Sequence, residues 1–135
     1  MSSISFSGGG AENEVIVATY SWSAVDLAID CCFFVADRSL TVVGINGRVR
    51  VVGSDAGTVT GQLRKAASTV APASGVLLHT GTFNLKGTAD TNQTLTLSTT
   101  ASDLTVPSGT GLCFDLTGIS TAANGCITVS MVAGG

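Results

Sequence analysis

Short runs of alternating apolar and polar residues recur along this chain, and they constrain its fold more than any other feature. In TVTGQLRK, residues 58 to 65, Val59, Gly61 and Leu63 alternate with polar side chains. Successive side chains of a β-strand point to opposite faces, so this alternation predicts a strand with one buried face. Glycine, proline, asparagine and aspartate, which turns require, lie between the runs. We therefore expect short strands separated by turns.

The spacing of these runs predicts a single all-β domain. About eight strands are expected between residues 13 and 135, and short strands at such intervals are typical of an antiparallel β-sandwich with a jelly-roll-like topology. A chain of 135 residues is long enough to bury one sizeable core. Residues 1 to 12 are rich in serine and glycine, and we predict that they form a flexible N-terminal arm.

The composition argues against several classes of function. Only 11% of the residues are charged, and the six basic residues do not form the basic stripe that nucleic-acid binding needs. No apolar run approaches the roughly 20 residues that cross a bilayer. The first residues, MSSISFSGGG, lack the pattern of a secretion signal. We expect a protein made in the cytoplasm, where thiols usually stay reduced, with no nucleic-acid or membrane partner.

Two adjacent cysteines precede two adjacent phenylalanines in CCFFVADRSL. Cys31 and Cys32 are neighbours on a predicted strand, so their side chains point to opposite faces and cannot readily bind one metal ion. No C-x₂-C spacing of a zinc site is present. We interpret Cys31, Cys32, Phe33 and Phe34 as core residues, and we expect no metal and no cofactor.

Cys113 and Cys126 lie on the last two predicted strands. If these strands form a hairpin, the two residues face each other across it. Such a pair is either a disulfide or two buried free thiols, and a reducing cytoplasm favours the thiols.

No catalytic constellation is visible in the sequence. His79 is the only histidine, and neither a G-x-S-x-G nor an H-E-x-x-H motif is present. The carboxylates are few and scattered. We therefore predict no catalytic residues, and we interpret His79 as a strand or loop residue.

Four charged residues are candidates for a subunit interface. Asp37 and Arg38 follow one predicted strand, where they either orient the turn by hydrogen bonds or contact a neighbouring subunit. Arg48 and Arg50 fall on one face of the next predicted strand. A surface this poor in charge suits a protein that packs against neighbours.

Several stretches together resemble a known group of proteins. They are FFVADRSLTVVGI, GTVTGQLRKA, LLHTGTFNLKGTADTNQTLTLSTTASDLTVPSGTGLCFDLTG and ITVSMV, within residues 30 to 132. Their order is similar to that of small β-sandwich virion proteins of tailed bacteriophages, of the head-decoration or fibre type. The resemblance implies a non-enzymatic protein on the capsid surface, with the major capsid protein and copies of itself as partners. It supplies no catalytic residues.

One other class of function stays open beside capsid decoration. A fibre-tip or carbohydrate-binding module can share the same fold, and sugars commonly stack on exposed aromatic rings. Tyr20 and Trp22 fall on one face of a predicted strand, which would give a small platform if they were exposed. Core packing is the alternative for both residues, and a glycan is the less favoured partner.

Overall fold

The computed structural model describes residues 2–5, 14–23, 30–52, 57–118 and 124–133, which form eleven β-strands and little helix. Among these residues, no helix is long and apolar enough to cross a membrane. The strands are β1 (Ser2–Ser5), β2 (Val15–Ser23), β3 (Cys31–Val35), β4 (Leu40–Val51), β5 (Thr60–Ala66), β6 (Val76–Leu77), β7 (Phe83–Asn84), β8 (Asn92–Thr94), β9 (Thr105–Val106), β10 (Gly111–Thr117) and β11 (Asn124–Ala133). A 3₁₀ turn spans Pro72–Ser74, and the short helix α1 spans Ala101–Leu104.

The strands form two antiparallel sheets. One has the order β1-β2-β11-β4-β8, with β9 also paired to β4. The other has the order β3-β10-β5-β6, with β7 also paired to β5. β8 and β9 both pair with β4, and β6 and β7 both pair with β5. Each of these two pairs therefore forms one interrupted edge strand. The described part of the domain then reduces to eight strand positions plus β1, and the prediction of an all-β sandwich of about eight strands is confirmed.

From β2 onward the chain moves to the opposite sheet at nearly every connection. β2, β4 and β11 belong to one sheet, whereas β3, β5 and β10 belong to the other. Consecutive strands therefore face each other across the core instead of pairing side by side, which is the jelly-roll arrangement. The pairing expected for Cys113 and Cys126 is wrong for this reason, because β10 and β11 lie in different sheets and form no hairpin.

The core lies between the two sheets and is almost entirely apolar. Ile16, Val49, Leu63 and Ile127 have at most 1% of their surface exposed, and they alternate with more exposed residues along their strands. This pattern is what the period of two in the sequence predicts. Burial of the apolar face of each sheet is the main contribution to stability.

An aromatic cluster fills one part of the core. Trp22 stacks on Phe114 with ring centroids 5.7 Å apart, and its edge contacts Phe83 at 5.8 Å. Two glycines leave space for these rings. A Cβ at Gly47 would lie 2.5 Å from Cε1 of Phe83, and one at Gly61 would lie 2.6 Å from Cε1 of Phe114.

Ser2–Ser5, which falls within the predicted arm, forms β1 and pairs with β2 at the edge of the larger sheet. Residues 6 to 12 of the arm lie outside the described residues. The flexibility of the arm stays a prediction.

Candidate interaction site

A groove of about 470 Å³ lies at the end of the larger sheet where β2, β4 and β11 run side by side. We call it the arginine groove. Its described lining consists of Ser21, Trp22, Arg48, Arg50, Asp90, Asn124, Gly125 and Cys126. The candidate interface residues Arg48 and Arg50 thus lie together on one surface, as the sequence predicts.

The two arginines of the groove have different partners. The Nε of Arg48 donates a hydrogen bond of 2.9 Å to Oδ1 of Asn92, which is neutral. Arg50 forms an ion pair with Asp90, with 2.6 Å between Nη1 and Oδ2. The described lining therefore keeps one positive charge, that of Arg48, which no carboxylate of the lining offsets.

The local backbone explains why these side chains meet. Val49 is fully buried between the two arginines, so both arginines are directed away from the core. The backbone N–H of Asp90 donates to the carbonyl of Val49 at 2.7 Å, which holds the loop before β8 against the end of β4. Asp90 has a φ of +58°, a conformation that aspartate adopts more readily than most residues.

Trp22 lies beneath the groove and is only 4% exposed. Its indole N–H is buried and has no hydrogen-bond partner in the part of the chain that the structure describes. A Cβ at Gly125 would lie 2.8 Å from Cζ2 of Trp22, so a glycine is required where β11 crosses the indole. Because Trp22 packs in the core with Phe83 and Phe114, the alternative of core packing is correct for it, and it is not available as a sugar platform.

Asp37 and Arg38 mainly hold their own turn. Nε of Arg38 donates to Oδ1 of Asp37 at 3.0 Å, and Nη2 donates to Oδ2 at 3.2 Å. Arg38 also forms an ion pair with Glu14, a carboxylate that is otherwise buried. The geometry supports the turn role that the sequence suggests, while the Asp37 carboxylate, 68% exposed, remains accessible to a neighbour.

Another ion pair, more buried than that of Arg50 and Asp90, lies on the outer face of the smaller sheet. Nε of Arg64 donates to Oδ2 of Asp115 at 2.9 Å, and Nη1 donates to the carbonyl of Gly75 at 3.0 Å. The two side chains are only 22% and 14% exposed. Nη2 of Arg64 also donates to Oε1 of Gln62 at 3.2 Å, but Asp115 and Gly75 are 51 and 11 residues away in the sequence, so no local motif could have identified the cluster.

The cysteines lie elsewhere than the sequence suggests. Cys32 is exposed and Cys31 is half-buried, so the prediction that both belong to the core is wrong for Cys32. The reason is that β3 is an edge strand whose outer face is open. Phe33 and Phe34 are half-buried and pack against the core.

Cys113 is buried, 1% exposed, and lies opposite Cys32 of β3 and Arg64 of β5. Cys126 lies in the arginine groove, opposite Ser21 and Arg48. All four thiols are free. Burial, together with a hydrogen bond to Cys32, raises the pKa of Cys113 to about 12. Cys113 is therefore protonated at neutral pH.

Both ring nitrogens of His79 are hydrogen-bonded. It is 1% exposed, its Nε2 accepts a 2.9 Å hydrogen bond from the backbone N–H of Leu63, and its Nδ1 lies 3.0 Å from the carbonyl of Thr80. Since Nε2 accepts, the proton must be on Nδ1 and the ring must be neutral. Burial lowers its pKa, the Thr80 carbonyl opposes this effect, and the charge of Arg64 lowers the pKa further. The ring ties β5 to the segment after β6.

Within the described residues, no group of three or more histidine, cysteine, aspartate or glutamate side chains is arranged to hold a metal ion.

Comparisons with known proteins show the fold. A chain of the cyanophage Pam1 capsid asymmetric unit is 14% identical, with a TM-score of 0.53 over 93% of this chain and 89% of that chain. A chain of infectious bursal disease virus, Gx strain, is 15% identical, with a TM-score of 0.39, too low to inform on the fold. This chain spans a third of that protein's length, covering 33% of it. No protein-family model matches the sequence, and no curated protein matches it.

Proposed function

We propose that this chain is a non-enzymatic structural protein of a bacteriophage virion, and that it decorates and stabilises the outer surface of the head. The observation that carries the proposal is the fold match with a chain of the cyanophage Pam1 capsid asymmetric unit, which extends over 93% of this chain and 89% of that one. The match thus covers nearly the whole of both chains. The stretches that resemble tailed-phage virion proteins support the same conclusion.

Binding to an assembled shell explains how such a protein stabilises it. A ligand that binds only the assembled state shifts the equilibrium toward that state, and many copies on one particle multiply modest contacts. The partners we propose are the major capsid protein and further copies of this chain. The protein would be made in the host cytoplasm and incorporated on the capsid surface.

The arginine groove is the surface we propose for contact with the shell. Arg48 supplies an exposed positive charge that no carboxylate of the lining offsets, so an acidic surface would attract it. Arg50 is already paired with Asp90 and would mainly shape the groove. Asp37, at the turn after β3, is the alternative contact.

Copy number in the virion is the direct test. Quantitative mass spectrometry on purified virions of the encoding phage should give a count in the hundreds, near that of the major shell protein. A handful of copies would favour the alternative, a fibre-tip or carbohydrate-binding module. Absence from the particle would refute a virion role.

Attachment of purified protein to particles that lack it tests the surface. Arg48→Glu should reduce attachment at least tenfold, whereas Asp37→Lys should leave it within about twofold; a tenfold change corresponds to 1.4 kcal/mol. Equal melting temperatures would show that both variants are folded. Loss of attachment in Asp37→Lys alone would assign the contact to the turn instead of the groove.

A further inference from the structure

Cys32 and Cys113 face each other across neighbouring strands, an arrangement that the sequence does not suggest. They are direct register partners between β3 and β10. The Cys32 side chain is near enough to contribute, after burial, to the raised pKa of Cys113, while the Sγ of Cys32 donates to the carbonyl of Phe34 at 3.8 Å. Directly opposite residues of antiparallel strands have Cβ atoms about 4.5–5.5 Å apart. Disulfides need about 3.5–4.5 Å, so a small approach of an edge strand is enough to join them.

The strand geometry makes room for the Cys32 thiol. Leu112 pairs with Phe34 and Cys113 pairs with Cys32, so Phe33 is the extra residue of a β-bulge. A Cβ at Gly111 would lie 2.5 Å from Sγ of Cys32. The absence of a side chain at Gly111 therefore lets the thiol lie over β10, next to its partner.

Access to the two thiols is unequal. They share a groove of about 300 Å³, whose described lining also contains Val35, Ala66, Ala67, Ser68, Val70, Pro72, Gly109 and Gly111. Cys32 is exposed in this groove, whereas Cys113 is buried at its base. A small reagent thus reaches Cys32 first, and Cys113 is placed to react second.

The other two cysteines are placed differently. Burial raises the pKa of the Tyr20 phenol in the opposite sheet, and the nearby Cys31 raises it further. Cys126 belongs to the larger sheet and lies opposite Ser21 and Arg48. Neither is a register partner of another cysteine among the described strands.

We propose that Cys32 and Cys113 form an oxidation site, at which a low-molecular-weight disulfide such as oxidised glutathione converts the two thiols into a cystine that links β3 to β10. The Cys32 thiolate attacks one sulfur of the oxidant and releases the first glutathione thiolate, which takes up a proton. Cys113 then loses its proton to solvent and, as the thiolate, attacks the Cys32 sulfur of the mixed disulfide, which releases the second glutathione as a thiolate that takes up a proton. Overall, two protein thiols are oxidised and one small disulfide is reduced to two thiols.

The bond would fasten an edge strand to the middle of its sheet. β3 pairs only with β10 in the described structure, so it is an edge strand that can separate from the smaller sheet without breaking any other pairing. The cross-link closes a loop of about 80 residues, which constrains the unfolded chain strongly. If the chain is a virion protein, as proposed above, the step from the reducing cytoplasm to the exterior would supply the oxidising conditions.

Thiol mapping of the reduced, folded full-length chain tests the site. After incubation with oxidised glutathione under native conditions, remaining thiols are alkylated and the protein is digested without reduction. We expect the peptide that contains residues 31 and 32 to be linked to the peptide that contains Cys113. A link to Cys126, a mixed disulfide that does not resolve, or no link at all would overturn the proposal.

Cys31 provides a matched control because it is the adjacent residue with the opposite orientation. Cys31→Ser should keep the link and Cys32→Ser should abolish it. The reverse result would show that the geometry is wrong. In the wild-type chain, oxidation should raise the melting temperature by at least about 5 °C, and a reductant should reverse the shift. This measurement needs no variant and remains informative if a substitution impairs folding. It also does not depend on a virion role.

Discussion

Replacement of Gly61 by alanine tests how closely the Phe114 ring packs over the backbone of β5. The new Cβ would overlap Cζ of Phe114 and lie 2.6 Å from its Cε1. The Phe114 ring has no free direction, because it is 1% exposed and contacts Tyr20 and Trp22 with centroids 5.1 and 5.7 Å away. The ring or the strand must therefore move.

The expected cost follows from two opposing effects. An extra methyl group in a tightly packed core typically costs about 1–3 kcal/mol, and the confined Phe114 ring favours about 2–3. Alanine also restricts the unfolded chain relative to glycine, which returns about 0.4–1 kcal/mol. We expect Gly61→Ala to lower the free energy of unfolding by roughly 1–2.5 kcal/mol.

Gly44→Ala is the matched control. A Cβ at this position would have no atom within 4 Å, and Gly44 does not have a positive φ. The substitution should be neutral or stabilise by up to about 1 kcal/mol. Urea unfolding followed by far-UV circular dichroism would measure both variants.

A double-mutant cycle isolates the clash itself. In a Phe114→Leu background the ring is absent, so Gly61→Ala should cost at least about 1 kcal/mol less than in the wild type. Equal effects of Gly61→Ala and Gly44→Ala, or no coupling in the cycle, would refute the reasoning.

Three further substitutions have expected outcomes. His79→Gln keeps an acceptor for the backbone N–H of Leu63 but cannot titrate. Because the pKa of His79 is lowered in the folded state, the unfolded chain takes up the proton more readily as the pH falls. The wild type should therefore lose stability below about pH 6.5, and the variant should lose less. Urea midpoints at pH 7 and pH 5 measure this, and parallel pH profiles would contradict it. Asp115→Asn leaves the half-buried Arg64 without its carboxylate partner and should lower the free energy of unfolding by about 1–3 kcal/mol. Arg50→Gln, which removes an exposed ion pair, should lower it by less than about 1 kcal/mol in the same urea assay. Equal costs would show that burial of the ion pair does not matter.

The faces of the strands could be predicted from the sequence. In TVTGQLRK, Val59, Gly61 and Leu63 are buried, as the alternation indicates. In β2, Ile16, Ala18 and Trp22 likewise share the buried face. The period of two depends only on the local backbone of a strand, so it is the same whichever strand lies alongside.

The partners of the strands could not be predicted in the same way. Alternation shows which face of a strand is buried but not which strand lies alongside, so the hairpin expected for the last two strands rests only on their adjacency in the sequence. Since the chain changes sheets between β10 and β11, Cys113 lies beside Cys32 instead of Cys126. The exposure of Cys32 depends on β3 being an edge strand, which is also a property of the sheet order.

The side-chain contacts within the arginine groove could not be predicted from the sequence either. Arg48 and Arg50 were identified from their shared face. Their partners are Asn92, at the start of β8, and Asp90, just before it, which are 44 and 40 residues away in the sequence. Only the pairing of β4 with β8 brings them together.

The position of β11 has a consequence for how the chain is made. β11 follows every other described strand in sequence, yet it lies between β2 and β4 and separates them. While the ribosome has not yet released this segment, β2 and β4 have no shared neighbour, and the larger sheet cannot close. A nascent chain that still lacks β11 therefore leaves one edge of β2 and one edge of β4 unpaired, and products that terminate before Asn124 should be prone to aggregation.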